Sequence, residues 1–376
     1  MKKLVLSLIL LSLPAFLIAQ EESEDRSGGG LSLTVAHTGI GFGDVPRING
    51  LRINWRDSYF EEVNGINFTL WTPRDEQAFG VVNGLALGLV APAGSQLNGI
   101  SLTPGVVLAQ ESMSGINLGG LALVSQGSIN GINLGGLAAV GQGSITGISL
   151  SSLAVVSQGS ITGFALGGLA TVSQGSTNGI TLAGLASVAQ GNMWGAGAAV
   201  LAVVAQGSMT GFHVGGLASV AQGNLTGLTF GGLAVVCQGA ASGLQFGGLA
   251  VVGQDGVSGI SIGGVAIVTQ KSMGGVNLTL GELRSEMGVT GLNVALYKTD
   301  APVIRGINLG LVWTESNELS WLSVSGYNRT YRIQKGIVIG LLNHAADLAG
   351  IQIGLLNIVE SNPPPFRYLP VLNVRF

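Results

Sequence analysis

Charged residues are scarce in this sequence, and one long stretch has none. Lys, Arg, Asp and Glu make up 9% of the 376 residues, and none occurs from Ser112 to Gln254. A net charge of -3 without a basic stripe argues against a nucleic-acid partner. Enzymes that cleave polysaccharides need clustered carboxylates and basic residues. Because the central region has neither, the sequence predicts a protein that is not an enzyme.

Cysteine and histidine are also rare. The single cysteine, Cys237, excludes an internal disulfide framework and is expected to be structural. The three histidines, His37, His213 and His344, are far apart, and no His, Cys, Asp or Glu pair has metal-ligand spacing. His213 is expected to lie on the surface. We therefore expect neither a metal nor a cofactor.

Long apolar runs are missing except at the start of the chain. Residues 1–20 combine Lys2 and Lys3 with an apolar run, which is typical of a secretory signal peptide. Residues 21–30 are acidic and rich in Ser and Gly, and they predict a flexible leader. No later run is free enough of Gly and polar residues to span a membrane as a helix. The predicted location is the cell surface or outer membrane, with the periplasm as the alternative.

Glycine is abundant, with 63 residues, and it marks a repeat of 16 residues. Position 10 of the unit is always Val and position 12 always Gln in the ten regular units. Apolar residues at positions 2, 4, 8 and 10 alternate as in a strand, whereas each glycine would cost a helix about 1 kcal/mol. The pattern predicts that these positions face inward and that the variable position 3 faces outward. The units open at Gly115, Gly131, Gly147, Gly163, Gly179, Gly195, Gly211, Gly227, Gly243 and Gly259.

Two all-β architectures fit such a repeat. One is a parallel β-solenoid of about 19 rungs, each of about 16 residues, and the alternative is a large antiparallel outer-membrane β-barrel. A barrel should alternate short turns with long loops, and no such 32-residue period is visible. This favours the solenoid. A solenoid further predicts a hydrogen-bonded column of glutamine amides, formed by Gln126, Gln142, Gln158, Gln174 and Gln190.

The regularity of the repeat divides the chain. Residues 31–114 are degenerate N-terminal repeats with a cap, 115–313 the regular array, 314–335 an insertion, and 336–376 C-terminal repeats with a terminal strand. The insertion holds the residues of a candidate binding loop, namely Trp321, Tyr327, Arg329, Tyr331 and Arg332.

Three stretches carry a family resemblance. Gly-Ile-Gln-Ile-Gly-Leu-Leu-Asn at 350–357, Asn-Gly-Ile-Asn-Leu-Gly-Gly-Leu-Ala at 130–138 and Leu-Pro-Val-Leu-Asn at 369–373 resemble the uncharacterised glycine-rich surface-repeat proteins of spirochaetes and Bacteroidetes. The resemblance covers about residues 50–376. It implies an exported or surface location and no catalytic residues.

The end of the chain keeps the barrel open as an alternative. Tyr368, Leu372, Val374 and Phe376 fall on alternate positions facing one way, and Asn373 and Arg375 face the other, which resembles the carboxy-terminal signal of outer-membrane barrels. The function predicted from the sequence is an exported, non-enzymatic structural or adhesive surface protein, with an integral barrel acting as a pore or scaffold as the alternative. An uncharged, sticky surface suits contact with the outer membrane, with cell-surface components or with other copies of the chain.

Overall fold

The structure is a computed structural model that describes residues 30–58, 60–73 and 80–376. The predicted signal peptide, and the predicted leader apart from Gly30, lie outside the described residues. Secondary structure in the described part consists of strands joined by turns. No helix in these ranges is long and apolar enough to cross a bilayer.

Strands follow one another along the whole described chain. Before the regular array they are β1 (Leu31–Val35), β2 (Thr38–Phe42), β3 (Arg47–Asn54), β4 (Glu62–Thr69), β5 (Val81–Gly88), β6 (Ala93–Thr103) and β7 (Val106–Gly119). The array contains β8 (Ala122–Ser125), β9 (Ser128–Gly135), β10 (Ala138–Gly141), β11 (Ile145–Ser151), β12 (Ala154–Ser157), β13 (Ile161–Gly167), β14 (Ala170–Ser173), β15 (Thr177–Ala183), β16 (Ala186–Ala189), β17 (Met193–Ala199), β18 (Ala202–Ala205), β19 (Met209–Gly215), β20 (Ala218–Ala221), β21 (Leu225–Gly231), β22 (Ala234–Cys237), β23 (Ala241–Gly247), β24 (Ala250–Gly253), β25 (Val257–Gly263) and β26 (Ala266–Thr269).

The C-terminal strands are fewer and become longer. They are β27 (Ser272–Met273), β28 (Val276–Thr279), β29 (Glu282–Ser285), β30 (Gly288–Ala295), β31 (Lys298–Asp300), β32 (Val303–Gly310), β33 (Trp313–Val324), β34 (Tyr327–Ile339), β35 (Leu342–Val359) and β36 (Tyr368–Arg375).

Neighbouring turns of the chain pair in parallel. In β10, Ala138 lies opposite Ala122 of β8 and Ala154 of β12, which are 16 residues away on either side. The longer strands β9, β11 and β13 stack in the same register. The chain is therefore a parallel β-solenoid of about 19 turns, as the repeat predicts. The antiparallel alternative is wrong, because its neighbouring strands would run in opposite directions.

Residues 147–162 show the cross-section of one turn. Outward side chains flank Gly147 on both sides, at Thr146 and Ile148, so the longer strand bends at this glycine. Each turn therefore has three sides, which we name from this example as side A (148–151), side B (154–157) and side C (161–162). Corners separate them at residues 152–153, 158–160 and Gly163.

Each regular turn opens with a glycine, and the stack favours it there. Gly163 has a φ of +107°, and a Cβ built on it would lie 2.3 Å from the carbonyl oxygen of Gly147 in the turn below. Both the left-handed conformation and the close approach disfavour a side chain. This explains why the ten regular turns all open with glycine.

The inward positions differ from those predicted. Positions 3, 5, 9, 11 and 15 of each regular turn are buried, whereas the apolar positions 2 and 4 lie outside and positions 8 and 10 are half-buried. His213, predicted on the surface, occupies the inward position 3 and is 1% exposed. Polar side chains are stable at this position where they pair along the stack: Asn117 Nδ2 donates to Asn133 Oδ1 at 2.9 Å, and Asn133 Nδ2 donates to Ser149 Oγ at 3.2 Å.

The predicted glutamine column forms in its backbone but not in its side chains. The N–H of Gln142 donates to the carbonyl of Ser125 at 2.9 Å, and the same contact recurs one turn later. The side chains themselves are exposed at the corner between sides B and C. In the described chain, no hydrogen bond joins the amides of Gln126, Gln142, Gln158, Gln174 and Gln190.

At this corner, the side chains at position 14 form the hydrogen bonds between turns that the glutamine side chains do not. The N–H of Ser160 donates to Ser144 Oγ at 3.2 Å, and the N–H of Ser176 donates to Ser160 Oγ at the same distance. Asn192 continues the column, since its Oδ1 accepts from the N–H of Ser208 at 2.7 Å. A short side chain with an acceptor therefore satisfies one backbone donor in the next turn, which explains the recurrent Ser or Asn.

A buried ion pair lies inside the N-terminal turns. Arg52 Nη1 donates to Asp57 Oδ1 at 2.9 Å, and both side chains are fully buried. Asn54, Asn67 and Thr69 donate to the same carboxylate at 2.7, 3.0 and 2.7 Å. The Asp57 carboxylate neutralises the Arg52 guanidinium and accepts a hydrogen bond from it. Without such a partner the buried positive charge would be strongly destabilising.

Antiparallel strands close both ends of the stack. At the N-terminal end, β1 pairs with β2 as a hairpin. At the C-terminal end, β36 pairs with β35, and Ile351 lies opposite Val374. Arg375 Nη1 also contacts Asp347 Oδ1 at 2.9 Å. The strand predicted at the end of the chain is thus a cap, with Leu372 and Val374 facing outward.

Candidate functional site

The segment predicted as an insertion lies within the stack. Residues 314–335 belong mainly to β33 and β34, which pair in parallel from Trp313 opposite Tyr327 to Val324 opposite Ile339. Paired residues are 14 apart up to Ser316 and 15 apart from Glu318, with one register shift between them. The candidate binding residues are therefore held on strands and their joining corners, not on a long loop.

Side B changes character where the regular array ends. Its outward columns are Ala and Val in the array, for example Ala266 and Val268 of β26. In β29 the same columns carry Glu282 and Arg284, in register with that pair. The columns continue with charged and aromatic residues, and we use the name charged ladder for Glu282, Arg284, Lys298, Asp300, Trp313, Glu315, Tyr327, Arg329 and His344.

Lys298 is the centre of the charged ladder. Its Nζ lies 2.8 Å from Asp300 Oδ2 and 2.9 Å from Glu315 Oε2, and 5.4 Å from the ring centroid of Trp313. Burial alone would lower the pKa of Lys298, but the hydrogen bonds to both carboxylates outweigh it and raise the pKa. Trp313 in turn packs on Tyr327, with ring centroids 5.5 Å apart. These charges are already paired with one another.

Three of the predicted residues lie in or against the charged ladder: Tyr327 and Arg329 belong to it, and Tyr331 packs against it. Tyr327 packs on Trp313, as above, and the Arg329 guanidinium lies 4.6 Å above the ring of Tyr331. The phenol of Tyr331 donates a hydrogen bond to Glu315. This bond lowers the pKa of Glu315 against the effect of partial burial, and it raises the pKa of Tyr331. The carboxylates of this network are paired with Lys298 and Tyr331, whereas the buried Trp313 Nε1 and Arg329 Nε have no hydrogen-bond partner among the described residues.

The other two predicted residues lie apart from this network. Arg332 is exposed and forms an ion pair with Glu318. Trp321 stands at the corner between sides C and A, in the column of turn-opening glycines between Gly306 and Gly336. It is 74% exposed and has a φ of +87°. A bulky side chain in this conformation is strained by roughly 1–2 kcal/mol.

Two cations that were not predicted from the sequence lie beside Trp321. Arg305 and Lys335 lie on either side of Ser320, the residue before Trp321, in adjacent strands. Both are exposed, and neither has an ion-pair or hydrogen-bond partner among the described residues. The 15-residue spacing from Gly291 to Gly306, continued to Gly336, places residue 321 in the glycine column. The same alignment places Arg305 and Lys335 beside Ser320, so the cations could have been found from the sequence. The arrangement is an exposed aromatic ring between two free positive charges.

Other reactive groups lie inside the rod. Burial raises the pKa of the Cys237 thiol to about 11, and Asp255 adds to the effect, so the reactive thiolate is disfavoured. His213 is enclosed at position 3. Within residues 30–58, 60–73 and 80–376, no three His, Cys, Asp or Glu side chains are grouped so as to hold a metal ion.

Comparisons with known proteins give no relative. No family model matches the chain, and no curated protein or solved structure is significantly similar to it. The resemblance to surface-repeat proteins therefore stays a prediction.

Proposed function

We propose that this protein is an exported, non-enzymatic rod with a structural or adhesive role at the cell surface, and that it contacts an anionic surface polymer through Trp321. The observation that carries the proposal is the strained conformation of this exposed tryptophan. Gly would relieve the strain at the same position, as it does at Gly306 and Gly336. Strain of this kind is commonly kept where a side chain is needed for binding.

The chemistry around Trp321 supports an anionic ligand. An exposed indole offers a flat apolar surface on which a sugar ring or a similar planar group can stack. The free Arg305 and Lys335 add two positive charges on the strands that flank Ser320, two strand spacings or about 9.6 Å apart. Carboxylate or phosphate groups along a polymer would pair with them. The signal-like residues 1–20 support export.

The location is tested by cell fractionation followed by alkaline extraction, with protease treatment of intact cells. We expect the protein in the envelope fraction and cleavage by protease added outside. A protein confined to the cytoplasm would overturn the proposal.

The binding role is tested with immobilised polygalacturonate as the acidic probe and dextran as the neutral one. We expect binding to polygalacturonate alone, and at least about a tenfold loss with Trp321→Gly, which corresponds to about 1.4 kcal/mol. The matched control is Trp194→Thr, since Trp194 is 52% exposed and its neighbours in the column are Asn178 and Thr210. Equal loss with both variants would contradict a site at Trp321.

A further inference from the structure

Side A is apolar along the whole stack. Its two outward columns, at positions 2 and 4 of each turn, contain apolar residues alone from β2 to β35. One column is Ile40, Leu51, Ile66, Leu85, Ile100, Ile116, Ile132, Ile148, Phe164, Ile180, Ala196, Phe212, Leu228, Leu244, Ile260, Val276, Leu292, Ile307, Leu322, Ile337 and Ile351. The inward column between them, by contrast, holds Asn, Ser, Thr or Gln in most turns.

The opposite edge of the rod is polar. The corner between sides B and C carries the exposed glutamines and the Ser or Asn of position 14. The charges that border the uncharged region, Glu111, Asp255 and Lys271, also lie at this corner, and Lys271 Nζ contacts Asp255 Oδ1 at 2.8 Å. An apolar face of this length opposite a polar edge is typical of a surface that is covered by a partner.

A groove runs beside one of the apolar columns. Leu102, Leu118, Leu134, Leu150 and Leu166 form a ridge at position 4. Next to the ridge, positions 5 and 6 are mostly small residues such as Gly119, Gly120, Gly135 and Gly136, which leave an open apolar groove of about 550 Å³. Side A thus offers both a leucine ridge and a groove that could receive such a ridge.

We propose that side A is a homodimer interface in which two rods lie parallel and side by side. A two-fold axis parallel to the rods reverses the order of the columns in the second copy. The leucine ridge of each copy then faces the glycine groove of the other. An antiparallel arrangement keeps the order of the columns, so that ridge meets ridge and groove meets groove. Dry interdigitation of repeated side chains between two sheets is a stable mode of packing.

The size of side A fits this partner. Four residues at about 3.3 Å and about 19 turns at about 4.8 Å give a face of roughly 13 by 90 Å. Two such faces bury on the order of 2,400 Å², which is the range of permanent homodimers. A lipid surface fits less well, because interfacial segments carry Lys or Arg beside the apolar face, and none occurs from Ser112 to Gln254. The inference depends on side A and not on the proposed adhesive role of Trp321.

The test is the mass of the purified full chain in detergent-free buffer, measured by sedimentation equilibrium. We expect twice the chain mass of 38.0 kDa. The double variant Leu134→Glu and Leu150→Glu places like charges in the interface and should weaken dimerisation by about 100-fold or more. The matched control is Thr146→Glu with Thr162→Glu, in the same turns but on side C, away from the ridge and the groove. Both threonine side chains are exposed, so a charge is tolerated there.

Two further measurements report whether the variants fold and in which direction the two rods run. Circular dichroism of both double variants reports whether they fold, and only a folded monomer counts as support. Spin labels on Glu62→Cys, in a Cys237→Ser background, distinguish a parallel dimer from an antiparallel one, in which the labels lie most of the rod length apart. A wild-type monomer, a monomer that floats with phosphatidylcholine vesicles, a dimer unchanged by the side A variant or an antiparallel dimer would each overturn the proposal.

Discussion

The imidazole of His213 lies over the bare backbone of Gly197, and a Cβ on this glycine would come within 3.0 Å of Nδ1. The ring therefore fits inside the rod because its neighbour in the column has no side chain. Both ring nitrogens lack a hydrogen-bond partner in the described part of the chain. A buried imidazole in this setting is stable only in its neutral form.

This arrangement predicts a loss of stability in acid. Burial lowers the pKa of His213 below 6.5, against a smaller opposing effect from the backbone of Thr210. As the pH falls below 6.5, the unfolded chain takes up a proton at this site before the folded chain does, so unfolding becomes more favourable. The urea midpoint should fall between pH 7 and pH 5 by more in the wild type than in His213→Thr, which copies Thr181 and Thr229 of the same column. Equal pH dependence in the two proteins would contradict this prediction.

The same column shows why the inward positions were not predicted. A constant apolar position in a repeat usually indicates a buried side chain, and a variable polar position usually indicates an exposed one. Here Asn117 and Asn133 pair inside the rod, so polarity at position 3 costs little. Position 2, which holds Ile116 and Ile132, stays apolar on the outside, where burial within one chain cannot explain it. The 16-residue period and the parallel stacking were predictable, because both depend on spacing and not on which face is inward.

The candidate site was predictable only in part. Trp321 was predicted because it lies in the segment 314–335, which departs from the regular repeat. Its strain depends on the position it occupies in the stack, which becomes clear only when turns of 15 residues are aligned between Gly306 and Gly336. Arg305 and Lys335 belong to different turns, so only the register of β32, β33 and β34 brings them to either side of Trp321.

The glycine column predicts a strong effect of adding one methyl group. Gly163→Ala places a Cβ 2.3 Å from the carbonyl oxygen of Gly147 and fixes an L-residue at a φ of +107°. We expect a loss of at least about 2 kcal/mol in the free energy of unfolding, measured by urea denaturation. Gly274→Ala is the control, since its Cβ would approach only the Thr290 hydroxyl, at 3.2 Å. A similar loss in the two variants would show that the column does not need glycine.

The buried ion pair predicts that one lost charge is more harmful inside the rod than on its surface. Asp57→Asn removes the close counter-charge of the buried Arg52 guanidinium and leaves only Asp44 Oδ1, 3.7 Å from Arg52 Nη2, so it should cost about 3 kcal/mol. Glu61→Gln breaks the exposed pair with Arg47 and should cost at most about 1 kcal/mol. Thermal unfolding of both variants gives the comparison. Equal effects would mean that the Arg52–Asp57 pair is not buried.

Cys237 predicts that the folded protein resists alkylation. Its side chain is buried at position 11, and its pKa is raised to about 11. Iodoacetamide at pH 8 should therefore modify it only after the chain unfolds, as followed by mass spectrometry. Cys237→Ser should be tolerated, because Ser125, Ser157 and Ser173 occupy the same position in other turns. Fast modification of the folded protein would place the thiol at the surface.

Trp321 predicts that stability and binding respond in opposite directions to one substitution. Trp321→Gly removes about 1–2 kcal/mol of left-handed strain, while the greater freedom of glycine in the unfolded chain costs roughly 0.5–1 kcal/mol. Little packing is lost, since the ring is mostly exposed. The melting temperature should therefore stay the same or rise, although binding to the acidic polymer is lost. A clear fall in melting temperature would show that the indole stabilises the rod, and the strain would then be no sign of a binding role.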